Sequence, residues 1–309
     1  MSETAGKCIV VWIVSDGKPG HVNQSLGLAE ALARAVPTAI HTLPAQPALR
    51  AGLAWLLRRP LAQGLPAPDL ILGAGHATHL TLLAARRAHG GRTVVLMKPS
   101  LPRRCFDLCV VPRHDGAEAD ARTLISEGAL NRIQPALDAD PAQGLILVGG
   151  PSAHFAWDSA AISAQIDSLV EHTPGTRWTL ASSRRTPADF VSYWSASSGL
   201  DLVPHTATSA DWLPAQFARC GTVWVTPDSA SMVYEALTAG AAVGVFDLHA
   251  NAGSRVARAV EQLAHDGRVT RLANWRATGT LRRATPPLAE AQRCAHWILE
   301  WLRNNRRED

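Results

Sequence analysis

The chain has 309 residues, 47% of them hydrophobic and 18% charged, with a formal net charge of +4. That much apolar material suffices for two ordinary domains, so a disordered chain is excluded; five scattered cysteines likewise exclude a disulfide-stapled one. The polar start Met1–Lys7 lacks the build of a secretory signal, and the apolar runs stop short of the roughly 18 residues that span a bilayer. A cytoplasmic protein without a membrane span is therefore expected.

Short β-branched runs alternate with Ala/Leu-rich stretches, the pattern of parallel sheet covered by helices. The first half reads strand Cys8–Val14, helix Val22–Ala35, strand Thr38–Leu43, helix Ala48–Arg58, strand Asp69–Leu72, helix Thr78–Ala88, and strands Thr93–Met97 and Leu108–Val111. From His114 to Gln143 the pattern dissolves into Ala, Asp, Gly and Pro with one weak helical piece, which reads as an interdomain connection. The second half reads strand Leu145–Val148, helix Ser159–His172, strand Arg177–Leu180, helix Pro187–Ser195, strand Asp201–Val203, a short helix near Asp211–Ala218, and strand Val223–Val225. Helix Ser229–Ala239, strand Val243–Phe246 and helix Ser254–Ala264 follow, then a last amphipathic helix over Leu288–Arg303. The expected fold is α/β, with two Rossmann-like parallel-sheet domains at 1–135 and 144–286 facing a central cleft, and a final helix, 287–309, packing back across them.

Ligands of such sheets bind at the loops that follow strands. The first such loop, Gly17-Lys18-Pro19-Gly20-His21, offers glycines for close backbone approach and helix-start amides that favour an anion. Its His21 is a candidate general base, with Asn23 and Gln24 beside it to read substrate. An ordinary turn with His21 as a helix cap is the plainer alternative. Gly75 and His76, with His79 nearby, occupy the second loop, and Lys98 follows a further strand; these could meet an acceptor or phosphate. Two histidines three apart also suit a metal, but no acidic or Cys partner lies near, and Asp138-Ala139-Asp140 falls in the connection rather than at a strand end. No metal is expected.

In the second half, the amides of Gly149 and Gly150 could line a diphosphate pocket, and Ser183, Arg184 and Arg185 offer a hydroxyl and guanidinium forks for phosphate oxygens. A solvated Arg pair is the alternative. Thr226-Pro227-Asp228-Ser229 ends a strand and starts a helix whose first turn carries Ser231, while Glu235 shares that face and could accept ribose hydroxyls. A plain capped βα unit is the alternative here. Asp247, after the next strand, could read sugar hydroxyls.

The loop Gly17–Ser25, the Ser-Arg-Arg-Thr-Pro at Ser183–Pro187 and the Thr-Pro-Asp-Ser-x-Ser-Met-x-x-Glu-Ala at Thr226–Ala236 resemble the mitochondrial-fission "elongate mitochondria" family. Bacterial members of that family are labelled glycosyltransferases of GT-B type. A more distant likeness is to the peptidoglycan lipid-linked N-acetylglucosaminyltransferase, in which His21 matches the catalytic-loop histidine and Glu235 the ribose carboxylate. Lys18 and Pro19 depart from that enzyme's smaller residues. The resemblance implies metal-independent sugar transfer from a nucleoside-diphosphate sugar, UDP first, to an acceptor hydroxyl, a cell-envelope lipid or glycan being the kind expected.

Two other readings stay open. Plant members of the family recruit a dynamin-like fission protein, so a non-catalytic scaffold is one; nucleotide-sugar epimerisation is the other. No basic stripe with stacking aromatics points to nucleic acid. The segment Leu49–Leu65, apolar with Arg50, Arg58 and Arg59, either covers its own sheet or rests peripherally on the inner face of an anionic membrane.

Overall fold

The computed structural model describes residues 8–136, 138–196, 200–209 and 211–305; the polar Met1–Lys7 start lies outside them. The chain forms two compact units, one made of residues 1–132 with 290–309, the other of residues 133–289.

The first unit is built on β1 (Ile9–Ser15), β2 (Thr38–Pro44), β3 (Leu70–Ala74), β4 (Arg92–Leu96), β5 (Leu108–Pro112) and β6 (Thr123–Ser126). All pair parallel, in the order β2-β1-β3-β4-β5-β6. Residues alternate between faces, as period two demands. Val11, Ile13, Leu70, Leu72, Val94 and Leu96 meet α1 (Pro19–Ala35) and α10 (Glu290–Asn305), whereas Trp12, Val14, Ile71 and Val95 meet α3 (His79–His89). The helix α2 (Ala48–Leu57) buries only Ala51 and Ala54.

The last helix is integral to this core. Cys294, Ala295 and Ile298 are wholly buried beside Leu28 and Leu32, and each large apolar side chain so placed contributes about 1.5–3 kcal/mol. At its start Glu290 accepts the Glu127 N–H at 2.8 Å and pairs with Arg293, whose guanidinium reaches the Ile125 carbonyl at 2.6 Å. These contacts pin β6, which lies inside the stretch read from sequence as a connection. That reading is corrected: a four-residue strand with a Ser and a Thr carries too little apolar signal to stand out, and its place comes from the sheet edge it completes.

The second unit has β7 (Asp140–Leu147), β8 (Arg177–Ala181), β9 (Asp201–Val203), β10 (Cys220–Val225), β11 (Ala242–Val245) and β12 (Thr270–Arg271), in the parallel order β12-β11-β10-β7-β8-β9. On one face Leu145, Val223 and Val243 pack under α6 (Trp212–Phe217), α7 (Ala230–Ala239) and α8 (Arg255–His265). On the other, Ile146, Leu180 and Trp224 pack under α4 (Ser159–Glu171), α5 (Ala188–Ala196) and α9 (Leu272–Thr278). Sequence reading missed β12 and α9.

The cysteines, read as buried, divide: Cys109, Cys220 and Cys294 are buried, Cys105 is half-buried and Cys8 is exposed. Burial pushes the Cys109 thiol up to about 11 and that of Cys294 to about 12, so neither is a nucleophile near neutral pH.

Candidate active site

In a parallel sheet the crevice lies where strand order reverses, outside the carboxyl ends of the two strands that flank the reversal. The first unit reverses between β1 and β3, the second between β7 and β10. Both crevices are edged by loops singled out in the sequence.

At the first, Ser15 and Asp16 fold the chain back on itself. Ser15 Oγ accepts the Gly17 N–H at 3.1 Å and Asp16 Oδ1 the Lys18 N–H at 3.2 Å. Pro19 then opens α1, so His21 stands in the first helical turn rather than in a loop before the helix. This corrects the expectation that Gly17 and Lys18 present amides to an anion: those amides already have acceptors. The turn instead positions the histidine. Asp16 Oδ2 lies 2.9 Å from His21 Nδ1, with Lys18 Nζ at 3.8 Å. Burial opposes the Asp16 carboxylate, but hydrogen bonds from His21 and the Lys18 amide, with the charges of both side chains, outweigh it and hold Asp16 below its ordinary range.

A carboxylate only accepts, so Asp16 favours the tautomer that carries its hydrogen on Nδ1 and has its lone pair on Nε2. No described residue bonds that nitrogen. The ring is seated from the other strand of the crevice: Gly75, at φ +81°, is so close beneath it that a Cβ there would overlap the imidazole. Among the predicted residues, His21 and Gly75 thus come together directly. Asp16 was not among those singled out, because its role exists only once the turn brings it back to the helix.

The other first-unit candidates separate. Gln24 is buried and turns its amide toward the Gly20 carbonyl at 3.4 Å; Asn23 is half-buried. His76 is exposed, whereas His79 is buried against Phe106 with Nδ1 3.2 Å from Ser100 Oγ, so its reading as an acceptor contact is corrected. Burial, reinforced by the charge of His76, lowers the His79 pKa. Lys98 is exposed and donates to the Asp115 carbonyl at 3.3 Å.

The second crevice is filled by the protein itself. The Gly149 N–H donates to Thr226 Oγ1 at 2.8 Å and the Gly150 N–H to Asp228 Oδ2 at 3.0 Å. The two glycines therefore do not offer those amides to a diphosphate, as expected from sequence; they let other groups approach. A Cβ on Gly149 would overlap the Asp228 carboxylate, and one on Gly150 the Arg185 carbonyl. Arg185 bonds Asp228 at 2.7 Å and donates to the Gly150 and Pro151 carbonyls, so it is a structural cation. Thr226 is wholly buried, and Ser183 donates to the Gly149 carbonyl at 2.9 Å. Asp228 Oδ1 is buried with no hydrogen-bond partner among the described residues.

What remains open lies just beyond this lock. Ser229 precedes α7 without capping it, so the amides of Ala230, Ser231 and Met232 have no acceptor among the described residues. Ser231 is exposed, Glu235 is half-buried one turn further on the same face, and exposed Arg184 makes no hydrogen bond or ion pair with a described residue. Asp247 lies 3.7 Å from Arg271, with its backbone clamped by both amide atoms of Gln165.

This architecture has solved counterparts. MurG from Acinetobacter baumannii is 13% identical, with a TM-score of 0.52 over 96% of this chain and 99% of that one. A putative UDP-N-acetylglucosamine 2-epimerase from Listeria monocytogenes is 11% identical, with a TM-score of 0.58 over 98% of both chains. The UDP-GlcNAc 2-epimerase of Neisseria meningitidis, solved with UDP-GlcNAc, is 10% identical, with a TM-score of 0.51 over 96% of this chain and all of that one. At such identities the likeness establishes the fold, that of the GT-B enzymes. No curated protein matches the sequence. The family model described as mitochondrial fission ELM1 matches residues 19–302, nearly the whole chain, and the protein therefore belongs to that family.

Proposed function

We propose that the protein transfers a sugar from a nucleoside-diphosphate sugar, UDP-GlcNAc being the first to try, to an acceptor hydroxyl on a cell-envelope lipid or glycan at the cytoplasmic side of the membrane. The observation that carries this reading is the Asp16–His21 pair at the β1/β3 reversal, with an unengaged Nε2. In the proposed step Nε2 takes the acceptor's proton as its oxygen attacks the anomeric carbon; the bond to the diphosphate breaks and the pair of electrons leaves with the nucleotide. Asp16 stabilises the imidazolium that forms. The leaving diphosphate is held by the unpaired amides that open α7, by Ser229 and Ser231, and by Arg184; Glu235 accepts the ribose hydroxyls. Gly20, with its amide at the start of α1, stays a candidate for binding the nucleotide-sugar donor. No metal enters this scheme.

UDP-GlcNAc appears in the names of two fold neighbours, which is why it is the first donor to try. The test is UDP release from UDP-GlcNAc in the presence of membrane-extracted acceptors. His21→Ala is expected to lower turnover about 10²–10⁴-fold, the usual size of general-base loss, with UDP binding unchanged. Conversion of the donor to its 2-epimer without UDP release would favour epimerisation instead. Absence of any nucleotide-induced rise in melting temperature would favour the scaffold.

A further inference from the structure

Seven large apolar side chains are exposed among the described residues, and six of them sit together: Leu49, Leu53, Trp55, Leu56 and Leu57 on α2, and Leu80 on α3. The cause is the order of side chains around α2. Ala51 and Ala54 make its buried face, and their small size seats the helix against the unit. Leu49, Leu53 and Leu56, spaced i, i+4, i+7, form one stripe on the opposite face, 79%, 49% and 62% exposed.

The charge on this segment has one sign: from residue 48 to residue 68 the charged side chains are Arg50, Arg58 and Arg59, and the first acid after them is Asp69. Asp69 accepts the Val10 N–H just before β3, at the sheet edge opposite the Asp16 turn. Arg50, Arg58 and Arg59 on and after α2 are exposed, without an ion pair to any described residue. Arg87 on α3 lies 4.7 Å over the Trp55 ring, which holds an indole and a cation together at the rim. Among the described residues no helix is long and apolar enough to cross a membrane.

We infer that α2 is a membrane-docking helix that lies flat in the headgroup region of an anionic bilayer. Its leucine stripe enters the acyl boundary while Arg50, Arg58, Arg59 and Arg87 meet lipid phosphates. A protein partner would need acidic side chains around an apolar groove; a bilayer supplies both features over any area. The docking itself does not depend on sugar transfer. Its placement does bear on that reading: Pro44 is in register with Ser15 and the Ala45 N–H donates to the Ser15 carbonyl at 2.8 Å, so α2 starts at the sheet edge that holds Asp16.

The experiment is co-sedimentation of the full chain with phosphatidylcholine vesicles, with and without about 30% phosphatidylglycerol, at about 0.1 M and 0.5 M salt. Binding is expected at least about tenfold tighter with the anionic lipid, and weaker at the higher salt. The double variant Leu53→Glu/Leu56→Glu is expected to lose at least about tenfold in affinity with an unchanged melting transition, since both side chains are exposed. Equal binding to neutral and anionic vesicles, or a double variant that binds like wild type, would overturn the inference. So would a wild-type protein that ignores vesicles but self-associates through this face, with the double variant monomeric. None of these readouts involves turnover, so failure here leaves the proposed reaction standing.

Discussion

The crevice between β1 and β3 and that between β7 and β10 are the same topological feature treated in opposite ways. In the first, a turn satisfies its own amides and delivers an imidazole with one nitrogen unengaged, resting on a glycine. In the second, a buried carboxylate sits in the glycine turn where an anion would go, tied down by Arg185 and the Gly150 amide. A glycine-rich turn at a strand end therefore has two uses, told apart by whether its N–H acceptors belong to the turn itself, as Ser15 and Asp16 do, or come from another strand end, as Thr226 and Asp228 do. Where amides are taken by side chains, the glycine admits a neighbour; where a helix start is left uncapped, as at α7, an incoming anion can find donors.

The contrast can be broken most decisively at Asp228. Asp228→Ala leaves the Gly150 amide and part of Arg185 without partners, and is expected to cost about 2–3 kcal/mol by chemical denaturation, discounted because Arg185 is itself 41% exposed. His21→Ala should cost less, about 1 kcal/mol for the lost hydrogen bond, because Asp16 keeps Lys18 and its amide beside it. Similar losses for the two would mean that the crevices do not differ in kind.

A middle-sized effect should separate strain from contact. Gly75→Ala and Gly17→Ala both place a Cβ at positive φ, at a cost of about 1–2 kcal/mol each, but only the former meets the His21 ring. Turnover in the transfer assay should therefore fall further for Gly75→Ala, by about tenfold or more, as a displaced base would cause. Equal turnover in the two variants would remove Gly75 from the site.

The smallest effect is a pH dependence. Asp16 titrates lower in the folded protein than unfolded, so its stabilisation is complete above the unfolded value near 3.9 and lost as pH falls through the lower folded value. The stability gap between wild type and Asp16→Asn should persist as pH falls to about 4 and close below it. A gap that closed between about pH 5 and 7 would implicate another group.

Much of this was legible in the chain. Runs such as Ile9–Val14 and Leu145–Val148 announce buried parallel strands, and the loops after them hold His21, Gly75 and the start of α7. What escaped depends on partners far along the chain or on size rather than polarity. Thr123–Ser126 is a strand because β5 lies beside it, and Asp228 meets Arg185 only in the folded sheet. The orientation of α2 was unreadable from periodicity because both its faces are apolar; alanine on one and leucine on the other decide which turns inward.

The place of α10 bears on how the protein is made. The first unit borrows its last core helix from the far end of the chain, so the core around Leu28 and Leu32 lacks part of its cover until residues 290–302 have left the ribosome. The second unit is encoded without interruption and can close during synthesis, while the first must wait with an open core until α10 has been made. Loss of the final twenty residues would thus harm the beginning of the protein before its middle.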